Sequence, residues 1–163
     1  MTGNLQLVWR LAKERYAARP LDGDGARLYG SRWTSPGRPV VYLSTELACA
    51  ALEVLVHIGR IALAPSDYSA IGVAVPLDLW SAADVVTDAE LGRGWQAAGS
   101  TACRNTGDEW ITRHDHAAML RVPSAVVSGV TNVLLDPMHP HASRIRIESV
   151  APFTFDARLF GSA

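Results

Sequence analysis

Lysine is almost missing from this chain: Lys13 is the only one, and the other fourteen of its fifteen basic residues are arginines. Against sixteen acidic residues they leave a formal charge of -1. That balance argues against a protein held mainly by nucleic-acid phosphates, although it leaves room for a local basic patch. The arginine bias is not read as phosphate recognition, because genomic base composition alone can produce it. Cysteine is equally scarce. Cys49 and Cys103 form no CxxC pair, and two cysteines cannot staple a small secreted scaffold, so two reduced thiols in the cytosol are expected. Cys49 lies among Ala48, Ala50 and Ala51, where a small buried hydrophobe is expected rather than a nucleophile. Long apolar runs are lacking too. The longest, Leu47 to Ile58, is interrupted by Glu53 and His57 and is too short to span a bilayer. Met1 to Arg10 has no basic segment followed by a long apolar one, so a secretory signal is not expected. Repeats, low-complexity tracts and linkers are absent, as are GxGxxG, Walker, HExxH and GxSxG signatures.

What is present is enough apolar material for one domain: 163 residues, 48% of them hydrophobic. Leu5 to Leu11 reads as a strand, Pro20 to Gly25 as a loop and Tyr29 to Pro39 as irregular chain. Val40 to Leu43 reads as a short strand. Ser44 or Thr45 is placed to cap a helix running to about His57 and ended by Gly59, with Glu46 favourable in its first turn. Ala70 to Val75 is another strand. Asp88 to Ala102 and Thr106 to His114 look helical, separated at Asn105 with Gly107 near the start of the second. Ala117 to Val122 and Ser124 to Ser128 read as extended segments on either side of Pro123. Arg144 to Glu148 alternates as a half-exposed strand does, and Phe153 to Asp156 extends the sheet. Strands outnumber helices without alternating strictly with them. The expected class is therefore α+β in a single compact domain over residues 1–163, not a doubly wound parallel sheet.

Glu53 is the chemical anomaly. It interrupts a helix that is apolar on almost every side, and it shares a stripe with Glu46, Ala50 and His57. An unpaired buried carboxylate is unfavourable, so Glu53 should face a cation, several donors or a ligand. A narrow solvated stripe or a structural Glu53–His57 pair explains the same pattern. In Gly30-Ser31-Arg32-Trp33, a Gly-flanked Arg32 can present a bidentate fork to phosphate or carboxylate, and Trp33 reads as a packing anchor. Tyr42, just before the Glu53 helix, can line the same cleft and stack on a flat ring. Ser124 and Asn132 edge apolar runs, where such residues satisfy turns or bind a ligand hydroxyl or amide. His114 with His116, and His139 with His141, lack the carboxylate or cysteine company of a metal site and read as solvated loops. Gly23 and Gly25 read as a plain turn.

In order along the chain, the segments VWRL (8–11), GSRWTSPGRPVVYLS (30–44) and LACAALEVLVH (47–57) resemble those of RES-domain proteins. The resemblance continues through GDEWI (107–111), LRVPSAVV (120–127), NVLLDPMHP (132–140) and FTFDARL (153–159). It places the family's Arg, Glu and Ser at Arg32, Glu53 and Ser124, and departs from it at Asp136, where Asn is expected. The resemblance implies an ADP-ribosyltransferase-like fold with a mixed, mainly antiparallel sheet and flanking helices. It implies a cytoplasmic toxin of a type II toxin–antitoxin pair, partnered by an Xre-like helix-turn-helix antitoxin that takes the DNA-binding duty. NAD+ is the implied substrate, cleaved at the nicotinamide–ribose bond, with no further cofactor and no metal. On this reading Glu53 stabilises the developing positive charge on the ribose and Arg32 grips the pyrophosphate. Tyr42 packs on nicotinamide, and Ser124 bonds in the ribose region. Arg10 is a second phosphate contact and Asn132 a weaker substrate contact. The acceptor is water, phosphate or a protein. Two alternatives are an ADP-ribosyltransferase modifying a specific cellular protein and a catalytically silent partner-binding module.

Overall fold

The computed structural model describes residues 4–58 and 67–160. Its frame is a seven-stranded sheet built from β1 (Leu5–Lys13), β2 (Val41–Ser44), β3 (Tyr68–Pro76), β4 (Asp84–Val85), β5 (Met119–Pro123), β6 (Thr131–Leu135) and β7 (Arg146–Phe153), in the order β4-β5-β6-β2-β1-β3-β7. All pairings are antiparallel except β4 with β5. The helices are α1 (Asp24–Tyr29), α2 (Leu47–Ile58), α3 (Leu77–Ser81), α4 (Asp88–Leu91) and α5 (Thr101–Thr112). The expected α+β class with a mainly antiparallel sheet is what the chain forms. No helix among the described residues is long and apolar enough to cross a membrane.

β1 is bonded to β3 along its whole length but meets β2 at a single register pair, Trp9 with Ser44. The sheet therefore divides into two wings hinged at that pair. Strand alternation sends Val8, Val41, Leu43, Ile71, Val73, Val133 and Leu135 to one face, where both wings share a continuous core closed by Leu79 of α3 and by Ile145. On the other face, which carries α2, there are two separate clusters. Leu11, Ala70 and Tyr68 pack under Ala50 and Ala51 of α2. Leu120, Val122 and Leu134 pack under Trp110 and Ile111 of α5, together with Trp33 and Trp95. Polar side chains collect along the seam between those clusters.

Several local expectations change. Asp88 to Ala102 does not form one helix. Gly92 takes φ +79 and ends α4, and Gly94 and Gly99 also hold positive φ in the loop that follows. Conversely, α5 runs unbroken through Asn105 and Gly107. Gly107 is a packing residue: a Cβ there would stand 1.7 Å from the Trp33 carbonyl oxygen. Ser124 to Ser128 forms a tight turn instead of an extended segment. Part of the Pro20 to Gly25 loop is helical, because Gly23 at φ +71 leads directly into α1. β7 is exposed along nearly its whole length, as an edge strand is. Gly59, expected to end α2, lies outside the described residues.

The Gly107 contact gives a direct test. Gly107→Ala should lower unfolding free energy by about 2–4 kcal/mol, since backbone must move to admit the methyl group. Urea denaturation measures this, and a variant as stable as the parent would contradict the close approach of α5 to the Trp33 loop.

Candidate functional site

α2 begins where β2 ends. The Ser44 hydroxyl accepts from the Glu46 amide at 3.4 Å, while the Thr45 hydroxyl donates to the Thr131 carbonyl at 3.0 Å and so ties the turn to β6. Ser44 is thus the side chain that meets the helix start, and Glu46 stands just before the first turn. Small residues at Cys49, Ala50 and Ala51 let the helix lie close to the sheet. Cys49 and Glu53, four residues apart, share the stripe that looks toward β6 and the turn after β5.

There Glu53 meets donors, which settles what faces it. The Ser124 hydroxyl donates to Glu53 Oε1 at 2.9 Å, and Asn132 Nδ2 donates to the same oxygen at 2.7 Å. No hydrogen bond or ion pair among the described residues engages Oε2 or joins Glu53 to His57. One carboxylate oxygen is therefore doubly held and the other is available. The Ser124 hydroxyl also accepts from the Val126 and Val127 amides at 3.1 and 3.0 Å. With one proton given and both lone pairs taken, it has no capacity left for a sugar hydroxyl. In this structure the Ser124 hydroxyl is spent on Glu53 and on the two amides of its own turn. Cys49 is buried as expected, and its thiol lies 3.5 Å from Ser124 Oγ and 3.7 Å from Asn132 Oδ1, the second being the acceptor left open to its single weak donor.

Tyr42 belongs to the same sheet face. It lies two residues before Ser44, whose register partner on β6 is Asn132. Its ring packs against the Trp33 cluster, and its hydroxyl is bonded to Ser31 Oγ, with Thr34 Oγ1 at 3.4 Å. Ser31 is a hub that also accepts from the Trp33 and Thr34 amides at 3.1 and 3.0 Å. Asp108 of α5 fastens the end of this loop through the Ser35 amide and hydroxyl, at 2.8 and 2.6 Å. The same loop carries Arg32, whose guanidinium donates to the carbonyls of Trp95, Gln96 and Ala97 at 3.3, 3.2 and 3.0 Å. Sequence reasoning missed both the Ser31 hub and these carbonyls. The first was hidden behind the more conspicuous Arg32, and the second lay in chain read as helix.

The structure thus joins Glu53, Ser124 and Asn132 directly and sets Tyr42 beside them, with Arg32 anchored one loop away. It does not bring Arg10 to them. Val8 and Ala12, its alternation partners on β1, belong to the opposite face, so Arg10 turns away from Glu53. Burial holds its guanidinium below the ordinary value, and nearby Asp22 works against that shift. Two concavities, of about 310 and 400 Å³, lie at the β4–β5 end and in the loop after α4, and neither is lined by Glu53, Tyr42 or Arg32. The histidines also differ from expectation in one respect. His116 is not a solvated loop residue: its Nε2 lies 2.8 Å from Asp136 Oδ2 and its Nδ1 lies 2.7 Å from the Arg113 carbonyl. Asp136 is thus a structural partner for His116 and for the Met138 amide, at 2.9 Å. Among the described residues no group of three or more His, Cys, Asp or Glu is arranged to hold a metal ion.

The chain is similar to several known proteins. The family model of the RES domain matches residues 7–156. A Sphingobium protein described as a Prs ADP-ribosylating toxin is 34% identical over 159 residues, covering 95% of this chain and 97% of its own. A Photorhabdus laumondii protein described as Toxin Res is 38% identical over 133 residues, covering 81% of this chain and 82% of its own. Among solved structures, a chain of the Mycobacterium tuberculosis MbcT–MbcA toxin–antitoxin complex matches with a TM-score of 0.63 and 17% identity, over 98% of this chain and 88% of that one. At that identity the likeness is one of fold.

Burial pushes the Tyr42 phenol above its ordinary value, against the opposing effect of the Ser31 and Thr34 hydrogen bonds. Tyr68 is pushed the same way by burial and by Asp67. Such a phenol ionises first in the unfolded chain. Its contribution is fully present below about pH 10, the ordinary tyrosine value, and is lost as pH climbs through the raised folded value. The urea midpoint should fall as pH rises above that point. Tyr42→Phe should make the fall shallower, leaving the share due to Tyr68. An unchanged slope would contradict the burial of the phenol in the seam.

Proposed function

The chain belongs to the RES-domain family, and from that premise we propose that it is the toxin of a toxin–antitoxin pair, acting in the cytoplasm by breaking the nicotinamide–ribose bond of NAD+. The observation that carries this reading is the state of Glu53: one carboxylate oxygen fixed by Ser124 and Asn132, the other without a partner among the described residues. A held carboxylate with an open oxygen is what an oxocarbenium-like ribose requires. As the bond breaks, its electron pair goes to the nicotinamide nitrogen and neutralises the pyridinium, leaving positive charge on the sugar. Oε2 of Glu53 faces that charge and accepts a hydrogen bond from a ribose hydroxyl. The acceptor then attacks the anomeric carbon and releases its proton.

The other residues follow from their bonds. Tyr42 offers its ring to nicotinamide, and the Ser31 hub fixes the orientation of that ring. Arg32 exchanges three neutral carbonyls for the pyrophosphate oxygens, a charge-assisted gain that favours the bound state. Asn132 works with Ser124 in holding Glu53. Arg10, turned to the opposite face, takes no part.

A second reading, ADP-ribosyl transfer to a protein, is favoured by the description of the Sphingobium relative, which matches nearly end to end. The two readings share every step up to the acceptor. An Xre-like helix-turn-helix antitoxin is the partner we propose, supported by the likeness to a chain solved in a toxin–antitoxin complex. The near-neutral charge is consistent with leaving DNA contact to that partner.

Incubating the purified protein with NAD+, with and without inorganic phosphate, and separating the products by mass tests the proposal. Nicotinamide should be released, with ADP-ribose, its phosphorylated form or labelled protein marking water, phosphate or protein as acceptor. Glu53→Gln should slow release by about 10²–10³-fold. No consumption of NAD+ under any condition would favour the silent-module reading instead. The role of Ser124 predicts a separate pattern. Ser124→Ala should lower kcat by about 10²-fold with KM for NAD+ nearly unchanged, because a loosened carboxylate is misplaced but the substrate loses no contact. A raised KM at constant kcat would restore Ser124 to the substrate.

A further inference from the structure

One turn of α2 grips both ends of a single amide. Glu53 takes the Nδ2 end of Asn132 at 2.7 Å. Cys49, four residues earlier on the same stripe, has its sulfur 3.7 Å from the Oδ1 end and 3.5 Å from Ser124 Oγ. The thiol therefore touches both side chains that donate to Glu53 Oε1.

Hydrogen-bond accounting fixes where its proton goes. The Ser124 hydroxyl gives its own proton to Glu53 and receives the Val126 and Val127 amides, so no lone pair remains for the thiol. Asn132 Oδ1 has no other donor among the described residues, and it takes the S–H, weak as that donor is. The contact matters because the terminal torsion of an asparagine has no sharp staggered preference. An amide held only at Nδ2 is free to swing about its Cβ–Cγ bond, and its donor to Glu53 swings with it. A second hold at Oδ1 fixes the plane. Cys49 is 2% exposed, so water does not compete from its side of the amide.

We propose that Cys49 is a positioning residue for the cleavage of NAD+: its thiol holds Asn132 Oδ1, which keeps Nδ2 on Glu53 Oε1 and Oε2 turned to the substrate. This role rests on the reading of Glu53 as the group that faces the ribose. It gives the cysteine a task beyond that of a small buried hydrophobe.

Alanine and serine differ by one oxygen, yet only serine donates. Cys49→Ala should lower kcat about tenfold with KM for NAD+ unchanged, a smaller loss than in Ser124→Ala because Asn132 keeps its bond to Glu53. Cys49→Ser should recover most of the lost kcat. Full kcat in Cys49→Ala, a loss carried by KM, or equal losses in both variants would overturn the proposal; the last assigns the effect to the missing sulfur volume. Infrared spectroscopy reads the contact without substrate. The Cys49 S–H stretch, identified by its disappearance in Cys49→Ala, should shift in Asn132→Ala, and a stretch that stays in place would overturn the proposal as well. Should the wild-type protein consume no NAD+, the NAD+ reading falls, and the infrared result alone decides whether the thiol holds the amide.

Discussion

A single carboxylate oxygen, Glu53 Oε1, receives hydrogen bonds from two different parts of the sheet, and the geometry of the site follows from that constraint. Ser124 stands in the turn after β5 and Asn132 at the start of β6, so the helix, the turn and the strand are tied at one atom. Two donors on one oxygen offset much of the desolvation that a carboxylate on an apolar helix incurs, and they do so without neutralising it. A cation in their place would have satisfied Glu53 as well but would have cancelled the charge. The arrangement holds a negative group still and leaves one oxygen for something else.

The backbone that permits this is unusual in one place. β1 and β2 share only the Trp9–Ser44 pair, so the two wings of the sheet carry separate hydrophobic clusters on the α2 face. Fusing those clusters would bury the seam in apolar packing. Keeping them apart leaves Tyr42, Glu53 and Asn132 on a polar line with rigid walls on both sides. The small residues of α2 matter here as much as the charged one. Bulk at Cys49, Ala50 or Ala51 would lift the helix and take Glu53 out of reach of β6. The Arg32 loop is fastened to the seam where Ser31 meets Tyr42 and to α5 where Ser35 meets Asp108, and Arg32 itself bonds three carbonyls after Gly94.

Much of this was legible because it is written in local pattern. Alternation and turn residues placed β1, β2 and β3, and an acidic residue inside an apolar helix singled out Glu53. What was hidden depends on tertiary contact. Gly107 looks like a helix breaker until Trp33 is known to lie against it, and then its lack of a side chain is the requirement. Residues 92–100 fall within a stretch that reads as helix, yet positive φ at three glycines makes them a loop that receives Arg32. Ser124 was recognisable as a site residue, but its task was not. Only the bonds to Glu53, Val126 and Val127 show that its hydroxyl is fully used. The placement of Arg10 is hidden for the same reason. Its residue type suits a phosphate, and only the register of β1 shows which face it takes. Asp136 looked like a mere departure until His116 was found against it.

The account is tested most directly by a crystal structure with a non-cleavable NAD+ analogue whose ribose oxygen is replaced by carbon. It predicts the nicotinamide ribose hydroxyl within hydrogen-bond distance of Glu53 Oε2, while Oε1 keeps Ser124 and Asn132. An analogue seated elsewhere on the molecule, or a Ser124 hydroxyl turned from Glu53 onto the sugar, would contradict it.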